Sequence, residues 1–121
     1  MLSWLNTGSN ERVGMIFGDG SSIELSNISS QPEAFFVVAP EDMMKYGDIA
    51  IATWHTHPHG PATLSAEDYR GFLGWPHCLH IIIGKDCTRG YIVRNGAVLN
   101  DEGQDHPAWS AARDMAARLR V

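Results

Sequence analysis

The chain has 121 residues, of which 44% are hydrophobic, and a formal net charge of −5. This length suits one domain, residues 1–121, with a real core. The acidic balance and the lack of any Lys/Arg run exclude a nonspecific nucleic-acid binder, and no stretch approaches the roughly 20 apolar residues of a membrane span.

The start, Met1-Leu2-Ser3-Trp4-Leu5-Asn6, carries no basic leader. It is not a signal peptide, and a soluble cytoplasmic protein is expected. Residues 1–10 read as a short helix or a loosely ordered arm. Val13 to Phe17 reads as a first strand, Gly18-Asp19-Gly20 as a turn and Ile23-Glu24-Leu25 as the returning strand. A loop rich in Ser, Asn and Pro follows over Asn27 to Pro32. Ala34 to Val38 is expected as a third strand or an extended segment.

Pro40 to Met44 reads as a short helix, with Pro in the first turn and acids at the positive end of the dipole. Ile49 to Trp54 is the central strand, and its continuous apolar character predicts cover on both faces. Ser65 to Leu73 is predicted helical, and Gly74-Trp75-Pro76 stops it. Cys78 to Ile83 is a further buried strand. Tyr91–Arg94 and Ala97–Leu99 flank Asn95-Gly96, a strong hairpin signal. From His106 to Leu119 a helix is predicted, with Asp105 as its cap and Trp109, Ala112, Met115, Ala116 and Leu119 as its apolar stripe. Arg118 and Arg120 suit its carboxyl end. The fold class is α/β: a central mixed sheet flanked by helices.

Cys78 and Cys87 are the two cysteines. They form no CxxC pair, and two reduced, part-buried thiols are preferred over one disulfide. His77 and His80 are three apart, so on a strand they face opposite ways and read as structural. Trp54, between the strand core and the next histidine, reads as packing.

The chemistry concentrates in residues 53–68, Thr-Trp-His-Thr-His-Pro-His-Gly-Pro-Ala-Thr-Leu-Ser-Ala-Glu-Asp. His55 and His57 follow the central strand and alternate onto one face. Pro58, Gly60 and Pro61 turn the chain into a loop. Ser65 opens a helix, with Asp68 on the same helical face. A loop folding back brings Asp68 beside both histidines. Three protein ligands with a fourth position open are the arrangement of a catalytic zinc. Ser65 and Asp68 also fit a plain helix cap.

The order His-x-His, seven residues, Ser, two residues, Asp resembles the signature of the JAMM (MPN+) metallopeptidases. Glu11-Arg12-Val13-Gly14 fits the place of that family's upstream glutamate. Asn27 to Phe36, followed by Pro40-Glu41-Asp42, is similar to the amino-terminal JAMM domain of lambda-type phage tail assembly proteins and to prokaryotic JAB domains. The resemblance spans about Glu11 to Gly90 and implies the JAMM/MPN, cytidine-deaminase-like fold. It implies Zn2+ on His55, His57 and Asp68, and Glu11 as general acid and base; Glu24, Glu33 and Glu41 are the alternatives should the strand register differ.

Zinc lowers the pKa of its bound water toward about 7, and the Ser65 hydroxyl offers an oxyanion donor. Zinc-assisted amide or isopeptide hydrolysis is the implied reaction. His59 and Gly60 are candidate substrate contacts, each against the plainer reading of an exposed, tight loop. The implied partners are a protein or peptide substrate: a ubiquitin-like or sulfur-carrier protein, or a phage tail component. A non-catalytic, metal-binding assembly module is the alternative. A nucleoside-deaminase-like enzyme would need a Pro-Cys-x-x-Cys ligand pair, which this chain lacks.

Overall fold

The computed structural model describes residues 10–119. The arm or helix expected over the first ten residues therefore lies outside the described residues except for Asn10, as does Arg120. The elements are β1 (Val13–Phe17), β2 (Ser22–Leu25), α1 (Pro40–Tyr46), β3 (Ala50–His57), α2 (Ala66–Leu73), β4 (Leu79–Gly84), β5 (Thr88–Arg94), β6 (Ala97–Asn100) and α3 (Trp109–Leu119). The strands form one six-stranded mixed sheet in the order β2-β1-β3-β4-β5-β6. The pair β3–β4 is parallel, and the other neighbours are antiparallel. This is the α/β arrangement expected from the sequence.

A parallel pair needs a crossover. Here it is the loop after His57 together with α2, so the loop and helix carrying the motif must return over the sheet. The β5–β6 turn has φ 54° at Asn95 and 75° at Gly96, the doubly left-handed form that Asn-Gly favours. Directly opposed residues share a face. The pairs Val13–His55, Met15–Thr53, Thr53–His80 and His80–Tyr91 thus place Val13, Met15, Thr53, His55, His80 and Tyr91 on one side of the sheet.

The opposite side carries Ile16, Ala52, Trp54, Leu79, Ile81 and Ile83. There α3 seals it with Trp109, Ala112, Met115 and Ala116, the stripe expected from the sequence. The motif side is covered by α2 through Phe72 and by α1 through Met43 and Tyr46. The central strand is therefore covered on both faces.

Two expectations need correction. Ala34 to Val38 forms no strand; only Val38 bridges to Asn27. Local bonds take its backbone instead: Ala34 and Phe35 N–H donate to the Gln31 carbonyl, and Val37 N–H donates to Asn27 Oδ1. The last helix begins at Trp109 rather than His106. Asp105 is not its cap; the His106 Nδ1 accepts the Ala108 N–H at 3.1 Å, so the ring holds the chain in a turn. Cys78 and Cys87 are free thiols. No helix among the described residues is long and apolar enough to cross a membrane.

Candidate metal centre

His55 and His57 end β3 and point to the same side, as their alternation predicts. Their Nε2 atoms lie 3.1 Å apart. Asp68 comes from the first turn of α2 and meets both: Oδ1 is 3.2 Å from His55 Nε2, and Oδ2 is 3.1 Å from His57 Nε2. His55 is 1% exposed and Asp68 7%. A tetrahedron with its centre about 2.0–2.1 Å from each vertex has edges of about 3.3 Å. The Nε2–Nε2 spacing fits two vertices of such a set, and Asp68 presents one oxygen to each histidine.

The protonation states also fit. His57 Nδ1 is 2.9 Å from the Pro61 carbonyl, which can only accept, so the ring proton sits on Nδ1 and a neutral His57 turns its Nε2 lone pair toward Asp68. Lone pairs and a carboxylate then face one another, an arrangement that calls for a proton or a cation at their centre.

Burial pushes His55 below its ordinary pKa, outweighing the Asp68 carboxylate beside it. Burial also opposes charge on His57, but Asp68 and the Pro61 carbonyl together hold its pKa above the ordinary value. For Asp68, burial is outweighed by the hydrogen bonds and charge of the two histidines, which keep its carboxyl well below the usual range.

Glu11 lies just before β1. Arg12 extends the ladder to Thr56, its N–H donating to Thr56 Oγ1 and its carbonyl accepting the Thr56 N–H. This brings Glu11 to the end of β3. One carboxylate oxygen and one ring nitrogen from each of His55 and His57 lie within 4.8 Å of one another, so Glu11, His55 and His57 form a group able to hold a metal ion. Glu11 is 9% exposed. Its pKa is pushed up to about 7 by burial, opposed by His57 and assisted by the Asp68 and Glu67 charges. Of the alternative acids, Glu24 is bound to Arg12 through both oxygens at the surface, and Glu33 and Glu41 are exposed.

Ser65 caps α2: its Oγ accepts the Asp68 N–H at 3.0 Å, while Asp68 Oδ2 accepts the Ser65 N–H at 3.2 Å. The cap reading is thus realised alongside the convergence on the histidines. His59 is exposed, and Gly60 gives its carbonyl to the Lys85 N–H.

Two positioning features escaped the sequence reading. Asn27 Nδ2 donates to the carbonyls of Glu11, Pro32 and Phe35, and its Oδ1 accepts the Ser29 and Val37 N–H groups. With Glu11 N–H donating to the Pro32 carbonyl at 2.7 Å, this fixes the Glu11 backbone. Gly84 lies against the Pro61–Ala62 backbone so closely that a Cβ would stand 2.3 Å from Ala62 N; the carbonyl that orients His57 depends on that approach. Gly14, the glycine after Glu11, faces the other way, where a Cβ would meet the Trp54 ring at 2.4 Å. A polar residue in a Ser/Pro-rich loop and a glycine ending an apolar strand were the available signals.

A solution structure of protein DSY2949 from Desulfitobacterium hafniense has the same fold, with a TM-score of 0.58 at 20% identity over 78% of this chain and 77% of that one. No curated protein matches the chain. The family model for prokaryotic homologs of the JAB domain matches residues 5–95, the stretch that carries Glu11, both histidines, Ser65 and Asp68. The chain therefore belongs to the prokaryotic JAB-domain family and has a JAMM/MPN-type fold.

Proposed function

We propose that the domain is a zinc-dependent peptidase or isopeptidase that hydrolyses an amide bond in a protein or peptide substrate. By family resemblance the substrate is the carboxyl end of a ubiquitin-like or sulfur-carrier protein, or a phage tail component. The observation that carries this reading is the mutual 3.1–3.2 Å spacing of His55, His57 and Asp68 beside the buried Glu11 carboxylate. The closest donors, the two histidines and Asp68, are the metal ligands in this reading. Glu11, with a carboxylate oxygen within 4.8 Å of both histidine nitrogens, is the acid and base.

When bound, zinc supplies a Lewis acid that polarises water and the substrate carbonyl. Glu11, buried beside the two histidines, takes a proton and returns it to the leaving amine. Ser65 Oγ already accepts from the Asp68 N–H, so its own O–H is the group left to donate to the oxygen that gains charge. The Pro61 carbonyl keeps His57 in the tautomer that turns Nε2 inward.

A second reading is an assembly module that holds metal without chemistry. The capping box supports it, because it accounts for Ser65 and Asp68 without a reaction. Zinc content per chain, measured for wild type and Asp68→Ala, tests the ligand set. Cleavage of amide substrates by Glu11→Gln then separates the readings. Wild-type rates in that variant would remove the peptidase mechanism.

A further inference from the structure

A cavity of about 380 Å3 lies beside the metal centre on the same side of the sheet. Thr53 and His80 form its floor, and Thr53 stands two residues before His55, one same-face step of about 7 Å along the strand. Phe35, Phe36, Met43, Phe72 and Trp75 wall it. Phe36 also packs on the His55 ring, with centroids 4.7 Å apart, and Asp68 and Glu67 reach the rim. The cavity and the candidate metal centre therefore share a wall and an edge.

The polar atoms of the floor are already paired. Thr53 Oγ1 lies 2.7 Å from His80 Nδ1, and His80 Nε2 lies 2.9 Å from the Trp75 carbonyl. Since that carbonyl can only accept, His80 carries its proton on Nε2, and Thr53 donates to Nδ1. The floor thus asks no hydrogen bond of an occupant, and the walls are aromatic and aliphatic. The volume is at the small end for ligand sites, which run to about 300–1,000 Å3, and is ample for one large side chain.

We infer that this cavity receives a bulky apolar side chain (Leu, Met or Phe) of the polypeptide substrate, from a residue close to the scissile amide. The inference rests on the peptidase reading for the word substrate. A glycine-only tail would leave the cavity empty, so the preferred sequence carries a large apolar residue within reach of the metal centre.

The test uses the full chain with one equivalent of zinc and methyl-labelled methionine. The probes are acetyl-Gly-Gly-Xaa-Gly-Gly-amide peptides with Xaa as Ala, Leu, Phe or Asp. Methylene-scale differences in an apolar pocket are worth about 10–200-fold. The Leu and Phe peptides should bind at least about tenfold tighter than the Ala peptide and shift the Met43 methyl signal. Gly71, on the exposed rim, has nothing within 4 Å of an added Cβ. Gly71→Leu can therefore fold normally, with circular dichroism and melting as checks, while its side chain obstructs the mouth and erases the discrimination. Equal binding of the Ala and Phe peptides, or discrimination intact in a folded Gly71→Leu, would overturn the inference. Binding is read without turnover. Tight binding of the Phe peptide without cleavage leaves the pocket standing and removes the peptidase reading, whereas cleavage of all four peptides at one rate does the reverse.

Discussion

Ser65 and Asp68 hold each other in a reciprocal cap, and the same Asp68 Oδ2 that accepts the Ser65 N–H lies 3.1 Å from His57 Nε2. One carboxylate thus caps a helix and faces both histidines of the candidate metal centre. The two duties are separable by mutation. Ser65→Ala removes the cap alone and should lower stability by about 1 kcal/mol with metal content unchanged. Asp68→Ala removes both, so its zinc content should fall to background. Metal analysis beside thermal melting checks both variants; one zinc per chain in Asp68→Ala would refute the ligand assignment.

Glu11 should be required for rate and dispensable for metal. Glu11→Gln is expected to bind zinc as wild type does and to lose about 10²–10⁴-fold in kcat. Single-turnover cleavage on metal-quantified protein gives the comparison.

The same carboxylate carries a stability signature. Its pKa rises from 4.5 to about 7 on folding, so between those values the folded state holds the proton more tightly. Its contribution to stability is full below pH 4.5 and is lost as pH rises through 7. At pH 8, metal-free Glu11→Gln should therefore be more stable than metal-free wild type, by roughly 1–3 kcal/mol. Urea unfolding at pH 5 and pH 8 would show most of the gain at the higher pH.

His80 works in the opposite sense. Burial, outweighing its bond to the Trp75 carbonyl, brings it down to about 4. The unfolded chain binds the proton first as pH falls through 6.5, so stability declines from there to about pH 4, by about 3 kcal/mol at most. Over that range the Glu11 gain masks part of the loss. The difference between wild type and His80→Gln, followed from pH 7 to pH 4, should isolate it; parallel curves would contradict the buried, neutral imidazole.

Gly84→Ala should damage the centre from a distance. Its Cβ cannot share space with the Ala62 backbone, and overpacking of this kind costs about 1–3 kcal/mol. The displaced Pro61 carbonyl would loosen His57, and such outer partners are worth about 10–100-fold in metal affinity. Gly14→Ala, which meets Trp54 on the far side of the sheet, should cost similar stability and leave the affinity per folded chain intact. Competition with a zinc chelator distinguishes the two.

Much of this centre was legible in sequence because its parts are local. Alternation placed both histidines, Pro and Gly forced the loop, and the Ser-x-x-Asp spacing set Asp68 in the first helical turn. Strands with continuous apolar patterns and the Asn95-Gly96 turn were equally plain. The stretch from Ala34 to Val38 misled because its apolar residues are spent on the cavity and its backbone on Gln31 and Asn27. Asn27 reaches the Glu11 carbonyl and Gly84 the Pro61–Ala62 backbone across long sequence separations, and the Pro61 carbonyl meets His57 through the backbone, which no side-chain pattern announces. The late start of α3 follows from a His106 ring that competes with the helix for the Ala108 N–H.

The origin of the donors has a consequence for descent. His55, His57 and Asp68 come from one unbroken segment joining β3 to α2, whereas Glu11 arrives from the far side of the strand pairing. On the proposed assignment, a change at residue 11 alone would leave that segment, with its cap and its histidine pair, untouched. An ion assay would then report on one segment, and only turnover would report on both.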